Sequence, residues 1–432
     1  MSESRSMNIL GDYQGYHFRR SCGYCHTTKG SAIVGVHAHR LSVSDYQILM
    51  DRGFRRSGTF LYKPDLLHSC CPQYAIRLEA GAFRPSKEHR QTINRFNRYV
   101  LGEEYIKAFQ RYKKAKHKAL TGEHSSDFDL VEAIHMAESK YVPDELKHIH
   151  RDHELKVVLD NSQFTAAKFR LYKKYQIATH KDIENELRPE SFKAFLCDDP
   201  FRLDKYNYTD NCSDPKLLGL FHQLYYLDGK LIAMAVLDFL PESISSVYFI
   251  WDQDMAKYSL GKLSACRETA LAIERNAPYY YMGLYIHNCQ KMRYKGGFFP
   301  SFLLDPELYV YFPLSKFVAE FEKSEYVSFS EHPKVRNLEL GYDAHLEQCT
   351  TAFEANLPGI PPANEIESDQ RMLPSVLIDR GRSCDSLASV LCQLAPDIRI
   401  EVKKRFIDLA AVLGPEVSQR TLIVDTDTLY LA

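Results

Sequence analysis

Four cysteines carry the most overt chemistry in the chain. Cys22 and Cys25 form a C-x-x-C, Cys22-Gly23-Tyr24-Cys25, while Cys70 and Cys71 are adjacent and followed by Pro72. The chain has 11 cysteines, and the remaining ones occur singly, so pairing sets these four apart. Thiolates are soft ligands, and a C-x-x-C turn aims two sulfurs at one point. Four such sulfurs suit tetrahedral zinc or an iron–sulfur cluster. The spacing differs from that of the common zinc fingers. Vicinal thiols can also close into a strained, readily reduced disulfide, so redox sensing is a second use of the same residues.

The rest of the chain must position that quartet. Its 432 residues suffice for two domains, and 45% hydrophobic with 26% charged residues is ordinary globular composition. A net charge of −1 gives no global field for nucleic acid, so any such binding must come from local basic patches. No apolar run approaches the length of about 20 residues that a membrane span needs, so no membrane partner is expected. Cysteine-rich composition without a secretory leader predicts reduced thiols and a cytoplasmic location, with the nucleus also open.

Short β-like runs, Ser31–His37 and Tyr74–Leu78, flank a helix expected over 44–52, capped by Ser42 or Ser44 and ended by Gly53. Residues 1–13 read as a loose tail. A long helical pattern starts at Ser86 and breaks at Gly102, and between Lys87 and Lys118 ten Lys/Arg stand against three Glu. That excess fits either a solvated helix face or a stripe that tracks phosphates. Residues 121–128 read as a polar connector, and His148, His150 and His153 as surface histidines.

The second half has the clearest pattern. Two apolar runs, Leu218–Leu227 and Lys230–Leu240, flank the tight turn Asp228-Gly229, and Ile244–Trp251 returns after another turn. A helix from about Ser259 to Arg275 and a strand Tyr279–Ile286 follow. This order predicts an α/β (α+β) protein whose mixed-sheet core is like that of the N-acetyltransferases (GNAT type), preceded by the four-cysteine metal- or cluster-binding domain. Expected boundaries are 1–120 for the cysteine-rich part with its basic helix, 121–160 for a connector, 161–320 for the catalytic part, and 321–432 for an extension whose role the sequence leaves open.

Two sets of strings resemble one family. Cys22-Gly-Tyr-Cys25, Asp51-Arg-Gly-Phe-Arg-Arg-Ser-Gly58, Tyr62-Lys-Pro64 and Ser69-Cys-Cys-Pro-Gln-Tyr-Ala-Ile-Arg77 resemble the amino-terminal domain of eukaryotic arginyl-tRNA–protein transferases. Asp228-Gly-Lys230, Ser245-Ser-Val-Tyr248, Ser259-Leu-Gly261, Tyr280–His287 and Lys291-Met-Arg-Tyr-Lys295 resemble their carboxy-terminal domain. Where the family usually has Asp-Pro-Asp, this chain has Asp252-Gln253-Asp254, which keeps both carboxylates. The resemblance implies transfer of arginine from arginyl-tRNA to the α-amine of acceptor proteins that begin with Asp, Glu or oxidised Cys. It implies marking of the product for ubiquitin-dependent degradation, and zinc or an iron–sulfur cluster at the cysteines.

Aminolysis of an activated ester needs no ATP, and no Walker sequence is present. Three recognition tasks remain. The arginyl side chain needs a carboxylate, with Asp252 the first choice and Asp254 and Glu268 behind it. The acceptor's acidic first residue needs a cation, with Arg77 first and Arg55 and Arg56 as alternatives. The tRNA acceptor end needs basic and stacking groups, for which Lys291, Arg293, Tyr294 and Lys295 are expected. His222 and Gln223 are candidates to orient the amine or act as base. The competing readings are a coenzyme A-dependent N-acyltransferase on the same fold and a non-catalytic, metal-stapled RNA-binding protein.

Overall fold

A computed structural model describes residues 7–28, 30–121, 128–201, 217–336, 342–368, 373, 375–378 and 383–424. The connector expected at 121–128 lies mostly outside them.

Two mixed sheets organise the molecule. The first has seven strands in the order β14-β13-β15-β1-β2-β4-β3. Its members are β1 (Asn8–Arg20), β2 (Ser31–Arg40), β3 (Arg55–Ser57), β4 (Phe60–Pro64), β13 (Ser375–Ile378), β14 (Ser383–Asp385) and β15 (Thr421–Val424). The second has eight, in the order β12-β11-β5-β10-β9-β8-β7-β6. They are β5 (Tyr74–Glu79), β6 (Leu155–Asn161), β7 (Gly219–Leu227), β8 (Lys230–Phe239), β9 (Ser243–Trp251), β10 (Tyr279–Tyr285), β11 (Ser301–Leu304) and β12 (Tyr311–Pro313).

The meander, the helix after it and the next strand follow the sequence pattern closely. Asp228 and Gly229 both adopt positive φ, 48° and 77°, which a two-residue hairpin of this twist requires. Other expectations change. The tail expected over 1–13 is instead the start of β1, which pairs with β15 in parallel from Asn8↔Thr421 onward. The boundaries drawn at 120 and 320 do not separate the sheets. β5, from the cysteine-rich half, lies between β10 and β11 of the second sheet, and β13–β15, from beyond residue 320, complete the first.

Seven helices position the sites described below: α1 (Val43–Met50), α2 (Lys87–Thr121), α3 (Leu130–His135), α4 (Ala166–His180), α5 (Pro189–Phe192), α6 (Leu260–Glu274) and α7 (Gln290–Arg293). Ser42 caps α1 by accepting from the Asp45 N–H, one of the two caps expected. α2 is kinked at Gly102, whose φ is 75°. One core packs α2, α3 and α6 onto one face of the second sheet, through Phe96, Leu101, Ile134, Leu263 and Cys266. The other core lies between the sheets, where Val34, Leu61 and Phe54 meet Met234, Val236 and Tyr281, with α4 and the helix Pro396–Leu413 at its edges.

Candidate functional site

The cysteine quartet assembles as its types suggest. Cys22 and Cys25 sit in the loop between β1 and β2, and Cys70 and Cys71 lie between β4 and β5. Their four Sγ atoms are all within 4.8 Å of one another. Four sulfurs about 2.3 Å from a common zinc ion would be about 3.8 Å apart, so the cluster has a metal site's dimensions. Local backbone fixes it: the Cys70 N–H donates to the Gly30 carbonyl at 2.7 Å, and His26 N–H to the Cys22 carbonyl at 3.0 Å. Gly30 leaves no alternative, since a Cβ there would lie 2.5 Å from the Cys70 Sγ. The Thr27 contact draws the Cys25 thiol down to about 6, while burial and the neighbouring thiols push Cys71 up to about 12. Thiols this close cannot all ionise without a cation among them. The four residues fit a metal or cluster, and the geometry does not select which.

The second sheet parts at one place. β9 and β10 pair in parallel only through Tyr279↔Ser243, Tyr280↔Ile244 and Tyr281↔Ser245. Beyond that, β9 runs to Trp251 and β10 to Tyr285, with no pairing between them. Gly283, at φ 76°, bends β10 at the parting. Parallel strands that diverge at their carboxyl ends make the natural ligand crevice of an α/β sheet.

Opposite charges lie close to that parting. Glu268, on α6, is 1% exposed and has no ion-pair partner among the described residues. It accepts from the Ser264 hydroxyl, and from the Tyr280 hydroxyl at 2.6 Å. Burial raises its pKa, with the hydroxyls of Ser264, Tyr280 and Ser246 pulling the other way. On the opposite side Lys295 turns inward and donates to the Leu284 carbonyl at 2.7 Å. Arg55, 5% exposed, reaches the Gly283 carbonyl at 3.3 Å. Burial, aided by Arg55, pulls the Lys295 ammonium down to about 7. Neither cation is salt-bridged to a carboxylate among the described residues. Tyr294 stands beside Glu268 and Tyr175, and burial with the Glu268 charge pushes its hydroxyl up to about 12. Tyr175, Tyr248 and Trp251 make an aromatic wall, with ring centres of Tyr175 and Trp251 4.8 Å apart.

Several residues singled out by sequence stand elsewhere. Asp252 ends β9 as expected, but its carboxylate is fully engaged. It accepts from Lys174, from Lys230 at 2.8 Å and from the Asp254 N–H at 3.1 Å, and despite burial these partners hold it at about 2. Asp254 also meets Lys174, at 2.9 Å. His222 and Gln223 cannot act together, because successive strand residues point to opposite faces. His222 is fully buried, donates to the Leu196 carbonyl at 2.9 Å, and burial lowers it to about 3. Gln223 accepts from Tyr225 and Arg267 on the other face. Arg56 forms a buried two-bond pair with Asp238, at 2.8 and 2.5 Å, so it has no surface to offer an acceptor. Arg77 is sandwiched between the Tyr279 and Tyr311 rings, at 3.9 and 3.7 Å, with Asp51 3.7 Å away. Lys291 and Arg293 lie exposed on α7, whereas Lys295, expected to meet tRNA beside them, points inward. No sequence signal separates these neighbours, because a four-residue helix has too little periodicity to define a face.

Comparison with known proteins agrees with the two sets of strings. The model of the arginine-tRNA-protein transferase N terminus matches residues 20–91, and that of the C terminus matches residues 167–305. Arginyl-tRNA–protein transferase 1 of Saccharomyces cerevisiae is 34% identical over 318 residues, covering 64% of this chain and 57% of that protein. The chain thus spans little more than half of the yeast relative's length. Arginyl-tRNA–protein transferase 1 of Drosophila melanogaster is 28% identical over 450 residues, covering 79% of this chain and 90% of its own. An aspartate/glutamate leucyltransferase of Pseudoalteromonas atlantica is 26% identical over 256 residues, covering 59% and 78%. Both halves of the sequence, in order, are thus similar to arginyl-tRNA–protein transferases.

Proposed function

We propose that the chain is an aminoacyltransferase that moves arginine from arginyl-tRNA to the N-terminal amine of proteins beginning with Asp or Glu, or with oxidised Cys, at the parting of β9 and β10. The observation that carries this reading is the pair of unanswered charges facing the crevice: Glu268 without a cation, and Arg55 with Lys295 without a carboxylate. The arginyl guanidinium supplies the missing cation and the acceptor's acidic side chain the missing carboxylate, which holds the two reactants together. In this reading Glu268 takes the role that Asp252 was expected to fill. The meander, α6 and β10 then act as an acyltransferase core of the N-acetyltransferase type.

The chemistry asks for little beyond placement. The acceptor amine has an ordinary pKa of about 7.7–8.0, so a useful fraction is neutral near pH 7. Its nitrogen attacks the ester carbonyl, the amide bond forms, the ester C–O bond breaks, and the ribose oxygen leaves with a proton that the amine gives up. Positioning can supply about 7–11 kcal/mol of such a barrier. Tyr294, at the crevice rim, is placed to donate to the oxyanion, and Tyr248 and Trp251 offer faces on which the terminal base can stack. Lys291 and Arg293 meet the acceptor-stem phosphates. The cysteine quartet, holding zinc or an iron–sulfur cluster, braces the β1–β2 loop against the start of β5 and supplies no nucleophile. Product proteins enter ubiquitin-dependent degradation in the cytoplasm, with the nucleus also open.

Single-turnover transfer of labelled arginine from tRNA to an Asp-starting peptide tests the reading. Transfer to the Asp peptide and not to its Asn counterpart is expected; no transfer to either overturns it. A melting shift with acetyl-coenzyme A and none with arginyl-tRNA would favour the small-molecule acyltransferase instead.

A further inference from the structure

A second group of cations without carboxylates lies away from the crevice, where both sheets meet the chain beyond residue 350. Lys63, on β4, is 5% exposed. Its ammonium donates to the Tyr309 hydroxyl and lies 4.3 Å from the centre of the same ring. The Arg52 guanidinium is 4.4 Å from that ring, and its buried Nε has no partner. Tyr309 is held in place by its own backbone and by the chain beyond residue 350. It adopts φ 54°, an unusual conformation for a side chain of its size, and its hydroxyl also reaches the Pro358 carbonyl at 3.4 Å.

These three residues edge a shallow recess, open to solvent, whose cavity volume of about 20 Å³ admits a group of about carboxylate size rather than a whole ligand. Leu66, Ala75, Leu304, Leu357 and Pro358 supply apolar walls. The charged neighbours on every side are otherwise occupied. Asp65 faces His68 at 2.6 Å and Tyr16 at 2.8 Å. Glu307 accepts from Tyr326, Ser330 and the Lys334 N–H, and the Lys334 ammonium is held by Asn356 and the Leu357 carbonyl. Two cations on one aromatic ring, with no carboxylate of the described chain to meet them, leave a place for an anion. The apolar walls suit a carboxylate on an aliphatic stem better than a fully hydrated phosphate.

We propose that the recess edged by Arg52, Lys63 and Tyr309 binds a carboxylate carried on a short aliphatic stem, from a glutamate or aspartate side chain of a polypeptide or from a free dicarboxylic acid of that length. The site is independent of the transfer reading and stands whether or not the chain transfers arginine. Binding has a protonic signature. Burial first, and Arg52 second, lower the Lys63 pKa well below its ordinary value, against the opposing pull of Asp65. A carboxylate arriving beside it favours the ammonium, so binding takes up protons in the range where Lys63 titrates.

Calorimetric titration of the full chain at pH 8, in two buffers of different ionisation enthalpy, tests this. The probes are glutarate, a blocked peptide with one Glu, its Gln counterpart and inorganic phosphate. Binding of glutarate alone marks a free acid as the ligand, and binding of the Glu peptide alone marks a polypeptide; either supports the site when protons are taken up. Lys63→Met should weaken binding at least tenfold and abolish the uptake, with folding checked by circular dichroism. If that variant does not fold, Arg52→Gln should weaken binding at least threefold, and if neither folds, binding and uptake that persist in Lys295→Met support the recess, while their loss in Lys295→Met overturns it. Binding of neither acid, equal binding of the Gln peptide, a preference for phosphate, absence of proton uptake, or unchanged affinity in a folded variant overturns the proposal.

Discussion

Two corners of the second sheet, a few residues apart along β9, handle charge in opposite ways. At the end of β9, Asp252 and Asp254 are answered by Lys174 and Lys230, and the corner is nearly neutral without any ligand. At the parting of β9 and β10, Glu268 sits among hydroxyls, and Arg55 and Lys295 rest on backbone carbonyls. A carboxylate that meets its cation inside the protein is finished as a structural device. A buried charge held only by neutral dipoles costs folding free energy, which in the proposed reading a partner from outside offsets. The cysteine quartet resembles the second kind, since four thiols within 4.8 Å of one another have the dimensions to hold a cation.

The largest expected effect tests that distinction directly. Glu268→Gln keeps size but removes the charge and exchanges one acceptor oxygen for an NH2 that the facing hydroxyl must turn to accept from, and should lower the transfer rate by about 10²–10³-fold, the scale on which a buried electrostatic contact acts in catalysis. Circular dichroism should show an unchanged fold. A loss below about threefold would return arginine recognition to the β9 corner.

The quartet is the next test. Cys22→Ser replaces the buried member of the set and should cost about 2–4 kcal/mol of stability, with loss of the bound metal on elemental analysis. Metal content of wild-type protein purified with and without oxygen separates zinc from an oxygen-sensitive cluster, and no metal in either sample would make the four thiols an unmetallated set.

Lys295 should show a smaller, pH-dependent effect. Its ammonium, at about 7 in the free protein, must be charged to hold an acidic acceptor. It is protonated below that value, so kcat/KM for an Asp-starting peptide gains from this group at low pH and loses it as pH rises through about 7. The acceptor amine titrates in the reverse sense, and their product is a bell. Lys295→Met should lower kcat/KM about 10–30-fold and remove the alkaline limb, while Lys295→Arg should restore charge and move that limb upward. An alkaline limb that persists in Lys295→Met would assign it to another group.

How far the sequence revealed this arrangement differs by feature. The quartet was legible because paired cysteines have few other uses, and the β7–β8–β9–α6–β10 order because period-two runs and an Asp-Gly turn are local signals. The insertion of β5 beside β10 was not, since Arg77↔Tyr281 joins residues that no local pattern connects. Nor was β6, a seven-residue edge strand with mixed polarity. Asp252 was visible as a carboxylate at the right end of the right strand, but Lys174 and Lys230, which occupy it, come from another helix and another strand. Lys295 read as one of a basic group because its inward turn depends on Gly283 and on the two strands parting.

The smallest effect closes the comparison from the answered side. If Asp252 is structural, Asp252→Asn should leave transfer within about threefold of wild type and appear in stability instead. The carboxylate starts the turn Gln253–Tyr258 by accepting from the Asp254 N–H, a bond that the amide oxygen of an Asn can also accept, so Asp252→Asn tests the charge alone. Its lysine partners are 44% and 63% exposed, so solvent screening keeps their added contribution small. The pH dependence has a definite sign. The folded pKa, about 2, lies below the ordinary carboxylate value of about 3.9, so the carboxylate's contribution is present in full above about pH 4 and is lost as pH falls through about 2. Urea melts of wild type and Asp252→Asn should therefore differ by less than about 1 kcal/mol at pH 7, with the gap narrowing once the pH drops below about 4. A constant gap across that range would mean that the amide's geometry rather than the lost charge sets the cost, and a collapse of transfer in a stable Asp252→Asn would move the site to this corner.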